Sequence, residues 1–410
     1  KFRFCLRKAV ALLQHPMKRR FFVWSGSLFI LFVSTALLFR VLEPSSSIFP
    51  EHREVKSGET VVAFGGRDVS PVTPVVAPGD QNRSAPVGTL ELPPFSAEEL
   101  LVAPPPRKGA PLRFAEALPV KITPSSHGRW ESRGGRARWT FRIEAPGARN
   151  LNLGFSRFRL PGSARLELRA GDELQVRPFT AADNDVHGEL WTPVVAGAEL
   201  ELLLEVRQEE RSQVQLQLAS INRGFRPLSF AAGYWKIGNS APEGNCHIDV
   251  VCSATESGVG PALDQYRDQI KAAGVYTLNG EDTCSGSAVN NARNDGTPYF
   301  MTADHCGVRS SNAASMVVYW NHENASCRTP GSGQNGGDGN GPINNFNSGA
   351  AVRATYSASD MTLVELDDPI DSDHEVFLAG WSRTGTPEMA VSVHFPNTSE
   401  KRISFDFDPL

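Results

Sequence analysis

The residues best suited to chemistry are a histidine and the two cysteines nearest to it. His305 lies in the segment Thr302–Cys306, Thr-Ala-Asp-His-Cys, directly after the apolar run Tyr299–Met301. Cys284 begins an earlier segment, Cys-Ser-Gly-Ser-Ala-Val. An imidazole titrates near neutral pH and can take a proton from a hydroxyl within hydrogen-bond reach. His305 lies at the end of a predicted strand, and a disulfide from the cysteine that follows it could limit movement of the main chain there. His305 is therefore a candidate general base.

Length, composition and cysteine content indicate the general class of this protein. A chain of 410 residues has room for two or three domains, and its 36 Gly and 29 Pro favour β structure with many turns. The net charge of −4 gives no indication of nucleic-acid binding. Most of the six cysteines cluster between residues 246 and 327, without a Cys-x-x-Cys pair. This clustering favours disulfides in an oxidising compartment over a zinc site, and Cys5 is expected to be unpaired.

The amino end, residues 1–43, predicts export. Residues 21–39 are uncharged and apolar, and basic residues precede them, so the positive-inside rule places the bulk of the chain outside the cytoplasm. The run is long enough to span a bilayer, and Ser34 and Ala36 also fit a signal-peptidase site. A signal anchor and a cleaved signal peptide both stay open. The protein is expected to be secreted or membrane-tethered through residues 21–39, facing the periplasm or the extracellular space.

The rest of the chain divides into three parts that differ in their pattern of apolar and polar residues. Residues 44–110 are rich in Pro, Ser and Gly, which predicts a linker without a packed core. Residues 111–236 alternate between apolar and polar side chains, as in Trp139–Ile143 and Val214–Leu218, with turn residues between the runs. This period of two predicts an antiparallel β-sandwich-like domain. Residues 237–410 form the third predicted part, which contains His305.

Several segments of the third part together resemble a known family. In chain order they are Asn245–Cys252, Ser287–Asn291, Tyr299–Cys306, Met316–Asn321, Ser359–Leu366, Ala379–Trp381, His394–Asn397 and Glu400–Ser404. In this order they are similar to the lysyl endopeptidase (Achromobacter protease I-like) family of trypsin- and chymotrypsin-like serine peptidases. Leu190–Val195 and Ile221–Arg226 resemble the amino-terminal propeptide region of the same enzymes. The resemblance implies an all-β protein with a chymotrypsin-like β-barrel, incomplete here, after a propeptide domain.

The resemblance also implies the roles of individual residues. His305 corresponds to the general base, and Asp360 corresponds to the carboxylate that orients the imidazole. The acids that rival Asp360 are Asp304, Asp367 and Asp368. The last two precede Pro369 in a turn and are expected to be solvated. Asp304 is expected to raise the pKa of His305 if the two side chains approach closely.

The cysteines are assigned by the same resemblance. It pairs Cys284 with Cys306 and Cys252 with Cys327. Cys246 corresponds to a cysteine whose partner lies late in the second barrel of the family, and this chain offers no such residue. Cys246 is therefore expected to be left unpaired by truncation.

The nucleophile presents the same difficulty. The serines after Asp360 are Ser372, Ser382, Ser392, Ser399 and Ser404, and none lies in a Gly-x-Ser-Gly turn. Ser287 and Ser332 have glycines nearby, but they are expected in a strand and in a surface loop. We therefore expect that the chain stops before the catalytic serine and the specificity pocket, and that it is inactive in this form.

The predicted function is an exported serine endopeptidase precursor that hydrolyses peptide bonds, after Lys by the family resemblance. Lys236-Ile237 fits a site of self-processing between the two β-rich parts. The expected partners are protein and peptide substrates, the expected state is a monomer, and neither a cofactor nor a metal is expected. The alternative is a non-catalytic exported binding or adhesion protein on a peptidase scaffold. A metalloenzyme using His305, His322 and Asp304 lacks any His-Glu-x-x-His spacing.

Overall fold

The computed structural model describes residues 88–96, 100, 111–226, 247–335, 339–382, 388–396 and 399–408. Several predictions concern residues outside these ranges, namely those for the apolar segment 21–39, for Lys236 and Ile237, and for Cys5 and Cys246. Among the described residues, no helix has the length and apolar character needed to cross a membrane.

The amino-terminal part of the described chain, residues 88–226, contains two β-sheets and one further short strand, Leu112–Arg113. Its strands are β1 (Thr89–Glu91), β2 (Leu112–Arg113), β3 (Ala115–Ile122), β4 (Arg129–Arg133), β5 (Arg136–Glu144), β6 (Asn150–Arg159), β7 (Arg165–Ala170), β8 (Glu173–Leu174), β9 (Leu190–Trp191), β10 (Val195–Ala196), β11 (Glu199–Arg207) and β12 (Gln215–Gly224). One sheet has the order β1-β5-β11-β7-β8, with β4 on β5, and the other has the order β10-β6-β12-β3, with β9 on β6.

The alternating sequence pattern explains how these sheets pack. On β5, Ala137, Trp139, Phe141 and Ile143 are buried, whereas Arg136, Arg138 and Arg142 are exposed. Successive side chains of a strand point to opposite faces, so one face of each sheet joins a common hydrophobic core. The alternation therefore correctly predicts a layered antiparallel structure over most of this part.

The predicted linker is too long at its carboxyl end. Strand β1 lies inside residues 44–110 and pairs in parallel with β5, with Leu90 opposite Ile143. Leu92 and Phe95 are buried in the core of the two sheets. A run this short has no persistent period of its own, and it is ordered because the edge of an existing sheet satisfies its main-chain groups.

The carboxyl-terminal part, residues 247–408, contains one large and one small sheet. Its elements are β13 (Ile248–Asp249), α1 (Arg267–Ala272), β14 (Ala273–Leu278), β15 (Asp282–Val289), β16 (Tyr299–Thr302), β17 (Val317–Tyr319), β18 (Phe346–Ser348), β19 (Ala350–Tyr356), β20 (Met361–Leu366), β21 (Ala390–His394) and β22 (Arg402–Asp406). The large sheet has the antiparallel order β18-β17-β14-β15-β16-β20-β19 and forms a half-barrel. The small sheet has the order β13-β22-β21. The prediction of an all-β fold is confirmed.

The two parts are joined by a strand and by shared core residues. Strand β2 pairs antiparallel with β15, so the amino-terminal part adds a strand to the half-barrel sheet. The main-chain oxygen of Glu281 accepts a hydrogen bond from the N–H of Phe114 at 2.8 Å. Tyr319 of β17 is fully buried in the core of the amino-terminal sheets, and its hydroxyl accepts from the N–H of Val194 at 3.0 Å. The predicted domain boundary at residues 236 and 237 lies in the undescribed stretch between the two parts.

Candidate active site

His305 lies where the end of β16 turns sharply. A single 3-10 turn, Asp304–Cys306, follows the strand, and Gly307 ends it with φ of 78°. This left-handed conformation is accessible to Gly without steric cost. Thr302 anchors the strand end, because its hydroxyl donates to the carbonyl of Ser285 on β15 at 2.8 Å. The strand-end position predicted for His305 is thus the one observed.

Asp360 lies at the start of the adjacent strand. Strands β16 and β20 run antiparallel with Thr302 opposite Thr362, so the residue three after Thr302 lies near the residue two before Thr362. Asp360 has a φ of 53°, in the left-handed region that a non-glycine residue adopts at a cost of about 1 kcal/mol or more. The register of the two strands therefore brings the predicted base and the predicted carboxylate together.

The carboxylate of Asp360 contacts both the ring and the main chain of His305. The distance between Nδ1 of His305 and Oδ2 of Asp360 is 2.6 Å, and the main-chain N–H of His305 donates to Oδ1 at 2.8 Å. Partial desolvation opposes ionisation of the carboxyl group, but the hydrogen bonds from the main chain and the ring of His305 outweigh it. They hold the pKa of Asp360 below its ordinary value. An ionised carboxylate at this distance accepts the proton of Nδ1, which leaves Nε2 as the acceptor.

The pair is open to solvent on its outer side. The side chain of His305 is 46% exposed and that of Asp360 is 51% exposed. Within the part of the chain that the structure describes, no hydrogen bond joins Nε2 of His305 to a serine hydroxyl. Ser287 lies on β15, where its hydroxyl donates to the carbonyl of Ala288, and Ser332 lies in a loop. Neither Ser287 nor Ser332 is thus hydrogen-bonded to the imidazole.

Two disulfides are present among the described residues. Cys284 of β15 is bonded to Cys306, with 6.1 Å between their Cα atoms, which ties the neighbouring strand to the residue after His305. Cys252 is bonded to Cys327, with 4.6 Å between the Cα atoms. These are the same two pairs that the family resemblance implies.

The acids predicted as rivals of Asp360 have other partners. The carboxylate of Asp304 pairs with the guanidinium of Arg309 at 3.0 Å, and no described ion pair joins it to His305. No ion-pair contact between the side chains of Asp304 and His305 is therefore observed. The turn that contains Asp367 and Asp368 is not solvated as expected. The amino-terminal part packs against it, Asp367 pairs with His187, and burial raises the pKa of Asp368.

The three residues that a metalloenzyme hypothesis would use, His305, His322 and Asp304, do not form a group of metal ligands. Among the described residues, two groups of three have ligand atoms within 4.8 Å of one another, Cys284–His305–Cys306 and Asp185–His187–Asp367. The cysteines of the first group form the disulfide. His322 belongs to neither group. It is fully buried, and its ring stacks on that of Phe395. The second group was not predictable from the sequence, since nothing near His187 in the chain indicates that Asp367 will lie beside it.

The fold and the site define an all-β protein that holds a histidine–carboxylate pair at the ends of two adjacent antiparallel strands. In this arrangement a carboxylate keeps an imidazole in the tautomer required of a general base. Residues 239–409 match the family described as lysyl endopeptidase, C-terminal domain. The match covers the half-barrel and the small sheet and confirms the family resemblance drawn from the sequence motifs.

Proposed function

We propose that this protein is the precursor of an exported serine endopeptidase, in which His305 is the general base and Asp360 orients it. The observation that carries the proposal is the two-point contact of Asp360 with the ring and the main chain of His305. The ring nitrogen Nδ1 is held as a donor, so Nε2 can take the proton of a serine hydroxyl as that hydroxyl attacks a peptide carbonyl. The imidazolium then gives this proton to the leaving amine.

The proposal requires a nucleophile outside the described residues. It would approach from the solvent side of His305, where the imidazole is accessible, and the 3-10 turn and the Cys284–Cys306 disulfide would keep the base in position. The name of the matched family supports cleavage after Lys. The acidic pocket that such a preference needs is likewise expected beyond the residues described.

The direct test is peptide hydrolysis by the protein expressed from its complete coding sequence. Lysine-containing peptide amides should be cleaved after Lys, and His305→Ala should abolish cleavage while the thermal unfolding midpoint is retained. His127→Ala is a matched control, because His127 lies in the loop between β3 and β4 of the amino-terminal part and contacts Ser126. Hydrolysis that survives His305→Ala would refute the proposal. Absence of hydrolysis in the unmodified protein would favour the alternative, a non-catalytic exported binding or adhesion protein.

Self-processing at Lys236-Ile237 is a separate part of the proposal. Cleavage there would separate the amino-terminal sheets, which we propose act as a propeptide, from the half-barrel that carries His305. Lys236→Gln should stop the appearance of the shorter form on denaturing gels. Lys121→Gln, at an exposed position of β3, is the control and should leave processing unchanged. Unchanged processing of Lys236→Gln would exclude this cleavage site.

A further inference from the structure

An open cleft lies on the amino-terminal sheets, away from His305. It has a volume of about 790 Å³ and lies between the loop that follows β3, Trp130 of β4, the 3-10 turn Gln208–Gln213 and the beginning of β12. Ligand sites of proteins occupy roughly 300–1,000 Å³, so the cleft is large enough for a small organic molecule or part of a polymer. Neither the fold nor the proposed peptidase activity assigns it a role.

The charge of the cleft is positive. Its lining contains Arg157 and Arg211 and no acidic residue. Within the described chain, neither arginine forms an ion pair, whereas Arg138, Arg142 and Arg165 on the same sheets each pair with a glutamate. The whole chain carries a net charge of −4. An attraction for anions would therefore come from the arginines of the cleft and not from the charge of the protein as a whole.

One of the two arginines is held in place before any ligand binds. The guanidinium of Arg211 lies 4.4 Å from the ring centroid of Trp130, a cation–π contact. The indole is itself oriented, because its Nε1–H donates to the carbonyl of Pro124 at 2.9 Å. The guanidinium carbon lies over the ring, and this contact consumes none of the N–H donors of Arg211. The planar fork of these donors matches the two oxygens of a carboxylate.

The other lining groups determine which carboxylate-bearing ligand fits best. Gln208, Gln215, Ser125 and Ser212 are the polar residues of the lining that carry amide or hydroxyl groups. Oε1 of Gln208 accepts from the hydroxyl of Ser132, and Oγ of Ser125 contacts Oγ1 of Thr123, so the groups left for a ligand are the NH2 of Gln208, the amide of Gln215 and the hydroxyl of Ser212. Amides and hydroxyls act as both donors and acceptors, as do the hydroxyl groups of sugars. We propose that this cleft binds an acidic oligosaccharide, with uronic acid carboxylates on Arg157 and Arg211 and sugar hydroxyls on the amide and hydroxyl side chains.

The test is titration of the full chain with oligogalacturonate by calorimetry at physiological ionic strength. Oligogalacturonate should bind, whereas a neutral glucan oligosaccharide of equal length should not. Polyglutamate of matched charge should bind at least about tenfold more weakly, because it lacks the sugar hydroxyls. Absence of galacturonate binding would overturn the proposal, and equal or tighter binding of polyglutamate would replace it with an acidic-peptide site.

Variants test whether binding occurs in the cleft. Arg157→Gln and Arg211→Gln should each weaken galacturonate binding about tenfold, because each removes a charge-assisted contact. Arg133→Gln is the matched control: Arg133 is exposed on β4, forms no described ion pair and lies outside the lining. Arg211→Lys keeps the charge but loses the planar fork, and should also weaken binding. An equal loss in Arg133→Gln, or full binding by Arg211→Lys and Arg157→Gln, would overturn the assignment.

Discussion

Nε2 of His187 lies 2.9 Å from Oδ2 of Asp367, although the two residues are 180 positions apart in the chain. His187 lies in the turn before β9 of the amino-terminal part, and Asp367 follows β20 of the half-barrel. The contact lies in an acidic surrounding whose other charged members are Arg177, Asp183, Asp185, Glu189 and Asp368. This junction connects the part that carries the proposed base with the part proposed as a propeptide.

The junction should lose stability as the pH rises. The hydrogen bond to Asp367 raises the pKa of His187, so its stabilising contribution is full below pH 6.5 and is lost as the pH rises through the raised value. Burial, followed by the charges of Asp367 and Asp368, raises the pKa of Asp185 to about 6 from 3.8. The contribution of Asp185 is full below pH 3.8 and is lost as the pH rises through about 6. Both groups act in the same direction.

Hydrogen exchange can measure this effect directly. The amides of β2 and β15, which pair across the two parts, should exchange faster at pH 8 than at pH 5 after correction for the intrinsic rate. Asp185→Asn should remove the part of the change between about pH 4 and 6, and His187→Gln should remove the part above it. A pH profile identical in both variants and in the unmodified protein would contradict the assignment.

Replacing the carboxylate that orients the base should abolish most activity. Asp360→Asn is expected to lower kcat roughly 10⁴-fold with little change in KM, because an amide no longer holds Nδ1 as the donor. Asp304→Asn, in the 3-10 turn that contains His305, is the matched control. Its carboxylate pairs with the partly exposed Arg309, so the cost is less than about 1 kcal/mol of stability and kcat should stay near its original value. Equal losses in both variants would show that the orienting role of Asp360 is wrong.

A buried ion cluster should be essential for stability. The carboxylate of Asp249 contacts the guanidinium groups of Arg328 at 2.8 Å and Arg402 at 2.5 Å, and Asp249 and Arg402 are fully buried. Asp249→Asn is expected to lower the free energy of unfolding by about 3–5 kcal/mol, because it removes the buried negative charge that both guanidinium groups share, although Arg328 keeps its pair with Glu400 at 3.1 Å. Asp264→Asn breaks an exposed pair with Arg267 and should cost less than about 1 kcal/mol. Urea unfolding of both variants gives the comparison, and similar values would refute the prediction.

The two disulfides should have different effects on function. Replacing either pair by alanine is expected to lower the free energy of unfolding by about 3 kcal/mol or more, since each bond constrains the unfolded chain. Only the Cys284–Cys306 bond adjoins His305, so its loss should also lower kcat. The Cys252–Cys327 pair is the control, and its removal should change stability but not kcat at temperatures where the variant is folded. Equal kcat values in the two double variants would contradict a positioning role for the first bond.

Some features were predictable because they depend on short stretches of chain. Alternation of apolar and polar residues, as in Trp139–Ile143, reports directly on a strand with one buried face. His305 and Asp360 were recognisable through the family resemblance of the segments Tyr299–Cys306 and Ser359–Leu366, and the register of two adjacent strands then brings the two residues together. The short strand Thr89–Glu91 was missed, because it is stabilised by the edge of β5 and not by its own sequence.

The sequence by itself determined the all-β character of the chain, the family of its carboxyl-terminal part, and which histidine and aspartate form the candidate site. Only the tertiary structure decided that Asp367 contacts His187, that Asp304 pairs with Arg309, and that the guanidinium of Arg211 lies over the ring of Trp130. The physical reason is that strand patterns and motifs are local properties of the chain. Which charged group finds which partner depends on how the finished sheets pack, and no local pattern contains that information.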